Sequence, residues 1–190
     1  MLTATYSQIA ISIEQKNAHK MLDSLKENIQ KATWNYKQYF DVEEVNASLR
    51  KLLDFNHYCR QRKVETLMIP AIRRSSNDLH RFIAELDLLG LDPLKDIHFM
   101  FREKQIDKDL DDISAEKLLS LMEQYCHNFS KRLEKEELEL FPIARRVLSN
   151  DDWFCIAVDC MSDEPSHLNI DYIDNEDTSL PLQHAPVILH

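Results

Sequence analysis

Glycine occurs once in these 190 residues, at Gly90. A sheet-rich fold needs many tight turns, and glycine supplies their positive φ angles, so a β-sandwich or barrel is excluded. A glycine-rich phosphate-binding loop is missing for the same reason, and no nucleophile signature stands in its place, so a nucleotide-binding enzyme or a hydrolase has no support. Proline is also sparse, at six residues. The four cysteines, Cys59, Cys126, Cys155 and Cys160, form no C-x-x-C pair and lie in apolar stretches, where a reduced thiol acts as a small hydrophobe; neither a zinc site nor a disulfide framework is expected. Apolar runs reach only a few residues, and Met1 to Gln15 lack the basic-then-apolar layout of a signal peptide. The expected location is the cytoplasm, with no membrane partner.

What is present is leucine, isoleucine, glutamate, lysine and aspartate in the balance that long helices use. Net charge is −10, but residues 163–190 hold six acids and no lysine or arginine, leaving about −4 for residues 1–162. Nucleic acid is thereby excluded as a partner. A protein, a small ligand or a second copy of the chain remains open.

Apolar residues recur at helical spacing through four long segments. A capping box at Ser12 and Gln15 opens a first helix carrying Ala18, Leu22, Leu25 and Ile29 to about Tyr39. A second box, Asp41 with Glu44, opens a helix through Leu49, Leu53, Leu67 and Ala71 to the Ser75-Ser76 pair. Asn77 or Asp78 caps a third, with Leu79, Ile83, Leu86 and Leu89, stopped at Gly90 and resumed after Asp92-Pro93 to about Lys104. The polar stretch Asp107 to Asp112 reads as loop, and Ser114 caps a fourth helix carrying Leu118, Met122, Tyr125, Phe129, Leu140 and Ile143. Ser149 with Asp152 restarts a short helix over Trp153 to Met161. The expected organisation is a helical domain over 1–162 and an acidic irregular tail over 163–190.

The second and fourth helices match at a spacing of 72 residues. Asn56 aligns with Asn128, Arg60 with Arg132, Lys63 with Lys135, Glu65 with Glu137, Pro70 with Pro142, Arg73 with Arg145 and Arg74 with Arg146. The shared pattern is R-x-x-K-x-E-x-x-[ML]-[IF]-P, and duplication of this kind predicts a pseudo-two-fold, up-down four-helix bundle. The inward stripes fall on 49, 53, 56, 60, 64, 67 and 71 in one helix and on 118, 122, 125, 129, 132, 136, 140 and 143 in the other. Asn56, Arg60, Arg132 and Glu136 are the polar members of these stripes. His19 and His80 lie near the starts of the first and third helices.

These residues resemble the hemerythrin-like, or HHE cation-binding, proteins. The resemblance rests on Glu136-Glu137-Leu138-Glu139-Leu140-Phe141-Pro142, more weakly on Val64-Glu65-Thr66-Leu67-Met68-Ile69-Pro70, on His19 and His80, and on Leu148-Ser149-x-x-Asp152-Trp153. It covers about residues 13–160. It implies a four-helix bundle that holds two irons between a histidine on helices one and three and H-x-x-x-E-E-x-x-L-F-P on helices two and four. This chain departs from that pattern at three positions, with Arg60 and Arg132 for histidine and Val64 for the first carboxylate. A guanidinium has no lone pair to give a metal and keeps its charge at any working pH. The expectation is therefore a non-catalytic binding or regulatory module without a cofactor, in which Arg60 and Arg132 pair with Glu136 and with Glu65 or Glu137 in an ionic layer. The alternative is a single iron or other divalent ion held by His19, His80, Glu136 and Glu65, for oxygen, nitric-oxide or redox sensing. His57 and His127, off the stripes, read as solvated residues.

Overall fold

The computed structural model describes residues 2–36, 42–104 and 112–162, and these are almost wholly helical, with no strand among them. Helix α1 spans Leu2–Tyr36, α2 Val42–Gln61, α3 Ile69–Ser75, α4 His80–Lys104, α5 Asp112–Lys135, α6 Phe141–Val147 and α7 Asn150–Ser162. A wide π-turn, Val64–Met68, precedes α3, and a second, Glu136–Leu140, joins α5 to α6. The expected Asp41 cap, the Asp107 to Asp112 loop up to Asp111, and the tail over 163–190 lie outside the described residues.

The two π-turns sit 72 residues apart, and each is followed at the second position of the next helix by a proline, Pro70 or Pro142. Proline has no N–H to give, and its ring presses on the carbonyl four residues back. Widening the preceding turn relieves both conflicts. The N–H of Ile69 donates to Val64 and that of Phe141 to Glu136, each five residues back. The repeat seen in the sequence is thus a repeat of backbone geometry as well.

Several boundaries differ from expectation, each for a local reason. Helix α1 begins at Leu2, and Ile11 and Gln15 are buried, so Ser12 lies within the helix and is exposed. Helix α4 runs unbroken through Gly90, which is buried. A lone glycine costs a helix only about 1 kcal/mol, which tertiary packing overrides. Ser114 is a buried residue of α5, not its cap. The box at Ser149 is present as expected: its N–H donates to Asp152 Oδ2 at 2.9 Å, and the Asp152 N–H donates back to Ser149 Oγ at 3.1 Å.

Side-chain pairs show how the helices meet. Along α1 and α2, Asn35 donates to Glu44 and Lys51 to Asn28, and just beyond α2 Lys63 donates to Glu14. Between α1 and α5, Thr33 donates to Glu123 and Gln15 to the Leu133 carbonyl. Helix α4 packs on α5, and α7 packs on α1. The apolar interior forms two clusters. One contains Leu22, Leu25, Leu49, Phe55, Met122 and Tyr125, and the other Ile11, Val64, Ile72, Leu86, Leu140 and Trp153. The polar residues described next lie at the level between them.

Candidate functional site

Four buried polar side chains converge between the apolar clusters: Gln15 from α1, Arg62 just beyond α2, and Arg132 and Glu136 at the end of α5 and the start of its π-turn. Glu136 is fully buried and accepts three hydrogen bonds. Arg62 grips it as a fork, Nη1 to Oε2 and Nη2 to Oε1, both at 3.0 Å, while Arg132 Nε donates to Oε1 at 3.0 Å. Arg62 uses its remaining N–H groups on Gln15 Oε1 at 2.8 Å, the Cys59 carbonyl at 3.3 Å and Glu65 Oε1 at 3.5 Å. All five of its donors are engaged. Arg132 also donates from Nη1 to the Leu86 carbonyl at 2.8 Å and from Nη2 to Glu65. Two cations and two acids form a network that is neutral in sum.

Burial opposes the charge on Glu136, yet the two guanidiniums and their hydrogen bonds outweigh it and hold the carboxyl below the usual carboxylate range. Burial works against Arg62 too, and the Glu136 carboxylate more than reverses this, so its guanidinium stays charged. For Glu65 the balance falls the other way: burial raises it, Glu136 adds to the rise, and Arg132 and Arg62 only partly oppose it. Burial pushes the Cys59 thiol up to about 12, leaving it inert. The Phe129 ring lies beside the network, with the Arg62 and Arg132 guanidinium carbons 5.8 Å and 5.9 Å from its centroid. Tyr125, also buried, makes an edge contact with Phe55, and its hydroxyl has no hydrogen-bond partner among the described residues.

One expected member of this layer is elsewhere. Arg60 is exposed, and Arg62 takes the inward place that the 72-residue register gave to Arg60. The cause is a tightened turn at the end of α2: the Arg62 N–H reaches only the Cys59 carbonyl, and the Arg62 carbonyl accepts from both Glu65 and Thr66. A helix turns about 100° per residue, so tightening before a π-turn shifts the phase of everything upstream relative to the second half. The buried face of α2 is accordingly Val45, Leu49, Leu52, Phe55 and Cys59, which Arg62 continues. That apolar series was visible in the sequence and points to Arg62. Of the expected stripe, Leu49, Val64 and Ala71 are buried, while Leu53, Asn56 and Leu67 are half-buried. The stripe on the second half holds from Leu118 to Leu140, with Ile143 half-buried.

The remaining candidates are dispersed. His19 is 39% exposed and pairs at 3.0 Å with Glu137 Oε1 on the surface. His80 is exposed at the start of α4. Glu65 and Glu136 are brought together, but by the arginines that hold them both. Among the described residues no three histidine, cysteine, aspartate or glutamate side chains are grouped to hold an ion. The donor set His19, His80, Glu136 and Glu65 therefore does not fit a divalent metal in this arrangement. Gln15, a capping partner by its pairing with Ser12 in the sequence, is instead a core residue of α1, as its spacing between Ile11 and Ala18 requires. No helix among the described residues is long and apolar enough to cross a membrane. No family model matches the chain, and neither a curated protein nor a solved structure does so.

Proposed function

We propose that the chain is an up-down four-helix bundle of hemerythrin type in which an ionic layer stands at the level of a di-iron centre, and that it works as a non-catalytic binding or regulatory module of the cytoplasm. The side-chain pairs support the up-down course, since higher positions on α1 meet lower positions on both α2 and α5. The paired π-turns with their prolines support the pseudo-two-fold repeat.

The observation that carries the reading is Glu136. It is the carboxylate of the better-preserved motif, and its two oxygens already accept three charge-assisted hydrogen bonds from Arg62 and Arg132. A metal ion would have to displace a guanidinium that has nowhere else in the core to place its charge. The layer is thus a structural element, and the work of the protein falls to its surfaces and cavities.

Elemental analysis of protein purified aerobically without chelators, with its visible absorption spectrum, tests this. Metal well below one ion per chain is expected. Iron near two per chain with an oxo-bridge band overturns the reading, and one ion per chain favours a mononuclear metalloprotein instead.

A further inference from the structure

A cavity of about 200 Å³ opens between α2, α4 and α5, beside the ionic layer and on its Arg132 side. Its floor is the Phe129 ring and the Cys59 thiol, both nearly inaccessible to solvent, with Arg132 and Glu65 alongside. Gly90 forms part of the α4 wall. A side chain there would enter this space, and a Cβ would already lie 3.1 Å from Arg132 Nη1.

The charges in the lining are unevenly committed. Glu65 is held by Arg132 and Arg62, and Asp87 by Arg73 at 2.9 Å. Arg60 is different: it is exposed on the cavity wall and makes no hydrogen bond or ion pair with any described residue. Asn56, one turn earlier on the same helix, is half-buried and likewise offers an unused side-chain amide. Arg132 uses three of its five N–H groups in the layer. The cavity thus presents spare donors and a cation over an aromatic floor, and its acids already have partners.

We propose that this cavity binds a small organic monocarboxylate, whose carboxylate is received by Arg60 and Asn56 and whose apolar body lies over Phe129 and Cys59. The proposal names a ligand class for the binding module inferred above and rests on that reading. A guanidinium and an amide match the planar, acceptor-only carboxylate. The lining sets Arg60 and Arg132 against Glu65 and Asp87, and with both acids and Arg132 already paired the one uncommitted charge is that of Arg60, which matches a single negative charge rather than a dianion such as phosphate. Size follows from volume, since a cavity of about 150 Å³ already accommodates a benzene ring.

The test is titration of the full chain with benzoate, followed by the Arg60 side-chain N–H and the Phe129 ring resonances in NMR. Benzamide and inorganic phosphate at matched ionic strength serve as controls. Saturable shifts of both groups with benzoate are expected, with benzamide and phosphate weaker by about tenfold or more, the scale of one hydrogen bond to a charged group. Arg60→Gln should lose about the same factor while its thermal unfolding is unchanged, because Arg60 is exposed, and Arg60→Lys should recover part of it. The proposal is overturned if benzoate does not saturate, if benzamide or phosphate binds as well, or if Arg60→Gln binds benzoate like the parent. These outcomes are separable from the metal test: metal-free protein that ignores benzoate removes this site alone, while iron-loaded protein removes the ionic-layer reading.

Discussion

At the scale of the residue, two arginines separated by one position in sequence have opposite situations. Arg62 is 1% exposed and fully engaged, and Arg60 is exposed and unpaired among the described residues. Arg62→Ala should therefore destabilise by about 3 to 5 kcal/mol, because it strands Glu136 as a buried charge. Arg60→Ala should stay within about 0.5 kcal/mol. Chemical denaturation of the two variants checks the contrast, and equal effects would refute the assignment of the inward position to Arg62. Glu136 also gives the molecule a pH dependence. Its carboxyl titrates lower in the folded chain than in the unfolded one, where it returns to about 4.3, so its stabilisation is complete above that value and is lost as pH falls below it. Glu65, raised by burial, acts with the opposite sign, since its protonation favours the folded state. Glu136→Gln should consequently show a shallower loss of melting temperature than the parent between about pH 5 and pH 3. A parallel slope would mean that Glu136 is not held ionised by the arginines.

Within single elements, the tertiary contacts override what each helix would do alone. Alanine is about 1 kcal/mol better than glycine inside a helix, so Gly90→Ala would be stabilising in an isolated α4. Here the new methyl would press on Arg132 Nη1, whose guanidinium is fixed by Leu86, Glu65 and Glu136. The expected result is a net loss of about 1 kcal/mol, an overpacking cost of about 2 kcal/mol less the helix gain, measured by thermal or urea unfolding. A gain would show that Arg132 can move aside. The phase shift at the end of α2 has a chemical consequence as well. If position 62 faces the layer, Arg62→His with Arg132→His should take up more ferrous iron under anaerobic loading than Arg60→His with Arg132→His, since only the first pair puts both imidazoles beside Glu65 and Glu136. Equal uptake by the two double variants would restore the simple 72-residue register.

Across the whole molecule, the ionic layer divides the core into two apolar clusters and joins α1, α2, α4 and α5 through named hydrogen bonds. Such a layer specifies how helices align more than it stabilises them, because desolvation of four charges offsets much of their attraction. Replacing Arg62, Arg132, Glu65 and Glu136 together by leucine or methionine should cost much less than Arg62→Ala alone, since no charge of the network is left without its partner. Amide hydrogen exchange on the same variant should show weaker protection at the α1, α2 and α5 contacts if alignment is what the layer supplies. A quadruple variant less stable than Arg62→Ala would make the network itself the main source of stability.

The sequence by itself determined the helical class, through one glycine and a helical apolar period, and it determined the repeat, because proline dictates the geometry of the turn before it wherever it stands in a helix. It also made Arg132 and Glu136 legible as inward residues, since α5 is regular and its period carries through to the π-turn. The identity of the second buried arginine, the place of Gln15 and the spare charge of Arg60 were decided only in the tertiary structure. A tightened turn of a few residues rotates one half of a helix against the other, and extrapolating a period across it puts the wrong side chain in the core. Which acid each buried arginine holds depends on four helices meeting at one level, and no single segment of the chain encodes that meeting.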